Sequence, residues 1–198
     1  RFRKLFYSHL PDRSNIPSDS LDYAGEYNFY RYDNKETREF KLDLNYLIPY
    51  PYVLSAVDKI FVALYGDAER ILSNNVYLSK CSLHQLIEGG HEIGMHGHNH
   101  YVLPRLDAQQ QKTDLDTNYS FVSKLTGNSE IAIAYPQGFR NESTRFLLRQ
   151  MPVTFGLTMD RKPIDFNAIN QKYDIPRYDV NDCFDSQDSF VLTMEANK

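Results

Sequence analysis

Leu83-His84-Gln85-Leu86-Ile87-Glu88-Gly89-Gly90-His91-Glu92-Ile93-Gly94-Met95-His96-Gly97-His98-Asn99-His100 is the stretch on which the reading of the fold turns. Leu83, Leu86 and Ile87 fall at helical spacing and Gly89-Gly90 ends the pattern, which predicts a helix; His91 to His96 then predicts a short strand. The same unit recurs downstream. Asp107 to Leu125 carries a stripe of Leu115, Tyr119, Val122 and Leu125 with Gly127 just beyond, and Ile131-Ala132-Ile133-Ala134-Tyr135 reads as the next buried strand. Asn141 caps a further helix to Met151, Pro152 breaks it, and Val153 to Thr158 is a third strand, with a fourth expected near Ile175 to Val180. Strands alternating with helices predict an α/β fold with a mainly parallel sheet or barrel, and sites at the strand C-terminal ends.

Upstream of residue 80 the texture differs, being rich in tyrosine and charge. Asp33 or Asn34 caps a helix in which Phe40, Leu44 and Leu47 share a face, and Pro49 and Pro51 are expected to stop it. Val53, Val57, Ile60, Phe61 and Leu64 form a second apolar face, and Gly66-Asp67 turns the chain into Ala68 to Leu72. Residues 1–80 thus read as small packed helices within the same domain, and 81–198 as the α/β part.

A chain of 198 residues with 41% apolar content supports one domain with a real core. With 22 basic residues against 26 acidic ones and a net charge of −4, neither a nucleic-acid footprint nor attraction to an anionic membrane is expected. No apolar run approaches the roughly 18 to 20 residues that span a bilayer. Cys81 and Cys183 lack metal-site or redox spacing and read as two free thiols. A bacterial cell envelope and a cytoplasmic location are both compatible with the sequence.

Five of the six histidines lie between residues 84 and 100. Neutral imidazole is a good ligand for zinc and other first-row metals, provided that several ligands converge on one ion. His96 and His100 are four apart, which brings both rings to one ion if the chain leaves its strand and coils after Gly97; His98 then points elsewhere. His84 and His91 read as structural or exposed. Two other readings compete: solvated loop histidines that scavenge metal without purpose, and the HxHxDH pattern of metallo-β-lactamase-type hydrolases. The second fits poorly, because His100 and Tyr101 stand where that pattern needs aspartate and histidine.

The run from Ile87 to His100 resembles the second motif of the polysaccharide deacetylase (NodB-homology) family, carbohydrate esterase family four, in which GHEIGxH[ST]xxH supplies two metal-binding histidines. The resemblance places them at His96 and His100, with Gly97 replacing the usual serine or threonine. Ala134-Tyr135-Pro136-Gln137-Gly138 resembles the AYPYG form of the third motif, which lines the substrate groove, and the backbone amide at Gln137 stands where the family binds the oxyanion. Phe155 to Asp160 and Ile175-Pro176-Arg177-Tyr178-Asp179-Val180-Asn181-Asp182 resemble the family's FTT strand and LPRxDxND segment, making Arg177 and Asp182 further candidates. Pro136-Gln137-Gly138 is also a good turn in itself, and Arg177 with Asp179 could be a surface ion pair.

The family's first motif, TFDDG, which carries the general base and a third metal ligand, is absent, as is the late leucine-x-histidine that supplies the general acid. The closest string is Arg31-Tyr32-Asp33-Asn34-Lys35, with Asp33 as candidate base. Because Asp33 reads as opening a helix rather than ending a buried strand, the favoured expectation is that residues 1–80 are a helical insert and that the first strand precedes Arg1. The resemblance implies a partial or distorted (β/α) barrel. It also implies hydrolysis of N-acetyl groups on a surface or cell-wall polysaccharide with a divalent ion, zinc or alternatively cobalt or nickel. A non-catalytic carbohydrate-binding or scaffold remnant of the fold is the alternative. An uncovered sheet edge would make the chain self-associate.

Overall fold

The computed structural model describes residues 2–16, 30, 33–165 and 171–179. The chain divides into two compact units, Arg1–Leu83 and His84–Lys198, at a boundary close to the change in sequence texture.

The first unit is helical. Helix α1 (Phe2–His9) is followed by α2 (Lys35–Leu42), whose cap is Asn34: its side chain accepts the Thr37 N–H at 2.9 Å. The helix runs on through a single π turn, Asp43–Leu47, and ends before Pro49. Only Pro49 acts as a stop, because Pro51 lies in the first turn of α3 (Tyr50–Tyr65), where its missing N–H would have had no helical acceptor. Phe6, Ile48, Val53, Ala56 and Ile60 form this unit's core, with Phe40 packed edge-on against Phe6 at 5.3 Å between ring centroids. Helices α4 (Glu69–Val76) and α5 (Lys80–Glu88) complete the helical run, and Cys81 is an exposed free thiol. Cys183 lies outside the described residues.

The second unit is built from two parallel βαβ steps. Helix α6 (Ala108–Thr126) starts with a reciprocal capping box between Asp107 and Gln110 and ends on Gly127 in the left-handed conformation. Strand β1 (Ile131–Ala134), helix α7 (Glu142–Arg149, capped by Asn141) and strand β2 (Val153–Leu157) follow, and the strands pair in parallel. Met95 bridges to Ile133 on the far side of β1, and Ile175 bridges to Leu157 on the far side of β2. The lateral order is therefore Met95 segment, β1, β2, Ile175 segment, all running the same way.

Two expectations change. The strand foreseen over His91 to His96 is reduced to the bridge at Met95, in a segment whose glycines favour close approach over extended pairing: a Cβ on Gly94 would sit 3.1 Å from the Ala132 carbonyl oxygen. The fourth strand is likewise a bridge at Ile175, because the next donor toward β2, the Arg177 N–H, goes to the Asp160 carbonyl at 3.0 Å and leaves the ladder register; Val180, where that strand was expected to end, lies outside the described residues. Among the described residues the sheet is a two-stranded parallel ribbon flanked by these two bridges, and the mixed α/β character with a parallel sheet stands. No helix among them is long and apolar enough to cross a membrane.

Met95, Leu103, Leu115, Val122, Ile131, Ile133, Tyr135, Leu148, Val153 and Tyr173 make the core of this unit, from both the ribbon and the helices on it. Leu115 is fully buried under α6. Leu115→Ala is expected to lower unfolding free energy by about 2–5 kcal/mol, read from the shift in denaturant midpoint.

Candidate metal centre

His96 leaves the sheet directly after the Met95 bridge, and two contacts fix it. Its backbone N–H donates to Asn118 Oδ1 at 3.0 Å, and its Nδ1 lies 2.7 Å from the Ala134 carbonyl oxygen. A carbonyl only accepts, so Nδ1 carries the hydrogen and Nε2 of the neutral ring keeps its lone pair for a metal. His100 follows one turn later, with the two ring centroids 4.9 Å apart. Its basicity is pulled below the ordinary histidine range, first by desolvation and second by the neighbouring His96, which favours the neutral, ligating form.

The turn that brings the two rings together is held by a residue that sequence reasoning missed. Asp114, buried on α6, accepts the His98 N–H at 2.9 Å through Oδ2, and the Asn99 N–H at 3.0 Å and Asn99 side-chain amide at 2.9 Å through Oδ1. Asp114 and Asn118 are one helical turn apart, so one face of α6 grips both ends of the histidine turn. A signal was available: polar residues four apart on a helix face adjoining Leu115 and Val122 are out of place in a core stripe unless they have partners.

This turn also explains why glycine occupies position 97. Gly97 has φ +73°, and a Cβ there would meet Pro136 Cγ at 3.0 Å and Asp114 Oδ2 at 3.2 Å. His100 also lies at positive φ, 57°.

The loop after β1 adjoins this turn through the Gly97–Pro136 approach. Here the structure divides the predicted substrate residues. The side chains of Tyr135 and Pro136 are buried, and the Tyr135 hydroxyl donates to the Tyr173 carbonyl at 2.8 Å; burial, and then the charge of Asp174, push its phenol up. Tyr135 is therefore a core residue, and any role of this segment at a substrate falls to its backbone and to half-exposed Gln137. Gln137 is held in the left-handed region, φ 55° and ψ 11°.

The other candidates separate. Asp33 lies in the first unit, paired with Lys41 Nζ at 2.6 Å next to the cap of α2. Arg177 donates from Nε to the Thr158 carbonyl at 2.7 Å, so it braces the end of β2 rather than pairing with Asp179. Asp182 lies outside the described residues. Among the described residues no group of three histidine, cysteine, aspartate or glutamate side chains converges as a metal cage.

A second feature missed in the sequence is an ionic network. Arg140 donates to Asp174 at 2.6 Å and to Asp160 at 2.8 Å, and Arg145 takes both oxygens of Asp174 at 2.8 Å. Burial alone would raise the Asp174 pKa, but the bonds from Arg145 and Arg140 hold its carboxyl below the usual range. Arg140 also reaches the Gly138 carbonyl at 3.3 Å, which ties the network to the loop after β1.

Residues 70–156 match the family model described as polysaccharide deacetylase. A solved structure, Streptococcus pyogenes deacetylase PplD in complex with acetate, is similar with a TM-score of 0.47 and 18% sequence identity, over 69% of this chain and 58% of that one. The chain thus spans little more than half the length of that structure. No curated protein matches the chain.

Asp114→Asn keeps the volume but removes one of the two acceptor oxygens. It is expected to cost about 1–3 kcal/mol in stability and to weaken zinc binding at least about tenfold, measured by denaturation and by calorimetric titration.

Proposed function

We propose that this chain, whose residues 70–156 match the polysaccharide deacetylase family model, takes part in metal-dependent removal of N-acetyl groups from a surface or cell-wall polysaccharide. The observation that carries the proposal is the pairing of His96 and His100 on one turn. His96 has Nδ1 committed to the Ala134 carbonyl, and Gly97 between the two histidines approaches Pro136 of the loop after β1.

The donor set fits part of a site for zinc, or for cobalt or nickel, with two neutral imidazoles held at one point. A divalent ion bound there would polarise the acetyl carbonyl and acidify a water. The chain's own residues supply orientation. Ala134 and Asn118 fix His96, Asp114 fixes the turn to His100, and Pro136 of the 135–138 loop packs beside that turn at Gly97. Among the described residues none is assigned as general base or as a further metal ligand. Self-association is carried as a further proposal. Val62, Ile71, Val76 and Tyr77 of the helical unit are strongly exposed apolar side chains, and a concentration-dependent rise in sedimentation coefficient is the expected result.

Zinc titration by calorimetry tests the metal centre, with His96→Ala and His100→Ala beside the parent chain. Saturable binding at one ion per chain, weakened at least about tenfold by either substitution, is the expected result. Binding at several ions per chain that survives both changes would make the histidine cluster a metal-scavenging patch. A protein with its first motif restored, loaded with zinc, should release acetate from an acetylated glycan; glycan binding without metal dependence would instead favour the non-catalytic reading.

A further inference from the structure

Beyond the histidine turn, the same end of the sheet carries a second recess of about 340 Å³, lined by Met159, Arg161, Arg177, Tyr178 and Asp179. Parallel register places it. Met95 pairs with Ile133, Ala134 with Leu157, and Leu157 with Ile175, so His96, the 135–138 loop, Thr158–Met159 and Pro176–Arg177 all emerge at one edge. Three interstrand steps separate the His96 and Arg177 positions, about 14 Å along that edge, which is the length of roughly three pyranose units.

Met159, which lines the recess, lies so close to Gly138 that a Cβ there would meet its side chain at 2.7 Å, so the recess borders on the loop after β1. Its chemistry is different. Arg161, Arg177 and Asp179 line it, and Tyr178, 47% exposed, adds an aromatic surface on which a sugar ring can lie. Arg177 is pre-set for recognition. Its N–H donates to the Asp160 carbonyl at 3.0 Å and its Nε to the Thr158 carbonyl at 2.7 Å, while its two Nη groups have no partner among the described residues. A planar guanidinium held at one edge offers its other donors to a carboxylate or phosphate at reduced entropic cost.

We infer that this recess is an anion subsite: it holds a carboxylate or phosphate borne by the polysaccharide, about three sugar units from the N-acetyl group at the histidine turn. The inference rests on the deacetylase reading and narrows its substrate to an anionic glycan.

The test is calorimetric titration of the full chain with two N-acetylated oligosaccharides. Hyaluronan hexasaccharide carries alternate uronate carboxylates, and chitohexaose carries none. The hyaluronan fragment is expected to bind at least about tenfold more tightly at low salt, and the preference should shrink as added salt screens the charges. Arg161→Gln with Arg177→Gln should erase the preference while leaving chitohexaose affinity and zinc stoichiometry unchanged. Arg161→Gln alone, at an exposed side chain, should lower the preference without loss of fold, and Arg177→Lys should retain part of it. Competition by free glucuronate or by inorganic phosphate then tells which anion the recess prefers. Equal affinity for the two oligosaccharides, binding of neither, or a preference that survives the double substitution would overturn the inference. Loss of zinc binding or of acetate release with the charge preference intact would instead count against the deacetylase reading alone.

Discussion

The Asp114 carboxylate is the constraint on which the candidate centre depends. It stands 4% exposed within α6, and both of its oxygens are spent on the turn from His98 to Asn99. Burying a carboxylate is costly unless hydrogen bonds replace its water, and three N–H donors do so here. The result is a two-way fixation. The turn satisfies the acid, and the acid holds a backbone that includes two residues at positive φ, Gly97 and His100. Without that anchor the three polar residues after Gly97 would lose the hydrogen bonds that fix their turn, and two imidazoles on a loosened loop would offer a metal little preorganisation.

The parallel ribbon converts this local fixation into a site with an extended edge. Each strand or bridge delivers its following loop to the same end, so residues far apart in sequence line up in lateral order. Arg140 and Asp174 join these loops from beneath. A buried network of this kind contributes little net stability against an apolar equivalent, because desolvation offsets much of the attraction. Its value lies in geometry, since Arg140 reaches Gly138 in the loop after β1 and both Asp160 and Asp174 in the connection between β2 and the Ile175 bridge.

Much of this was legible in the sequence. The caps at Asn34, Asp107 and Asn141, the end of α6 at Gly127 and the buried strands around Ile133 and Val153 all follow local rules that depend on a few neighbouring residues. The pairing of His96 with His100 was likewise readable from spacing once a turn at Gly97 was assumed. What could not be read were long-range partners. Nothing local marks Asp114 as the ligand of a turn some fifteen residues away. Asp174 looks no different from a surface acid until the two arginines that hold it are placed. The strand ends were overextended because periodicity reports which residues suit a sheet, whereas pairing ends where partners end. The Arg177 N–H bond to Asp160 and the close approach at Gly94 decide that, and both act through the neighbouring chain.

Tyr135 and Gln137 show how a motif position can change its side chain and keep its backbone. Tyr135 is anchored in the core by its hydroxyl, and Gly138 is pressed against Met159, so the ends of the loop are fixed by packing. Between them Gln137 adopts a left-handed conformation that costs a non-glycine residue on the order of 1 kcal/mol or more and persists only where the surroundings impose it. That conformation is set by the ends of the loop and not by the side chain at its tip. A glutamine can therefore stand where the resemblance expects a tyrosine without altering the direction of the backbone at that position.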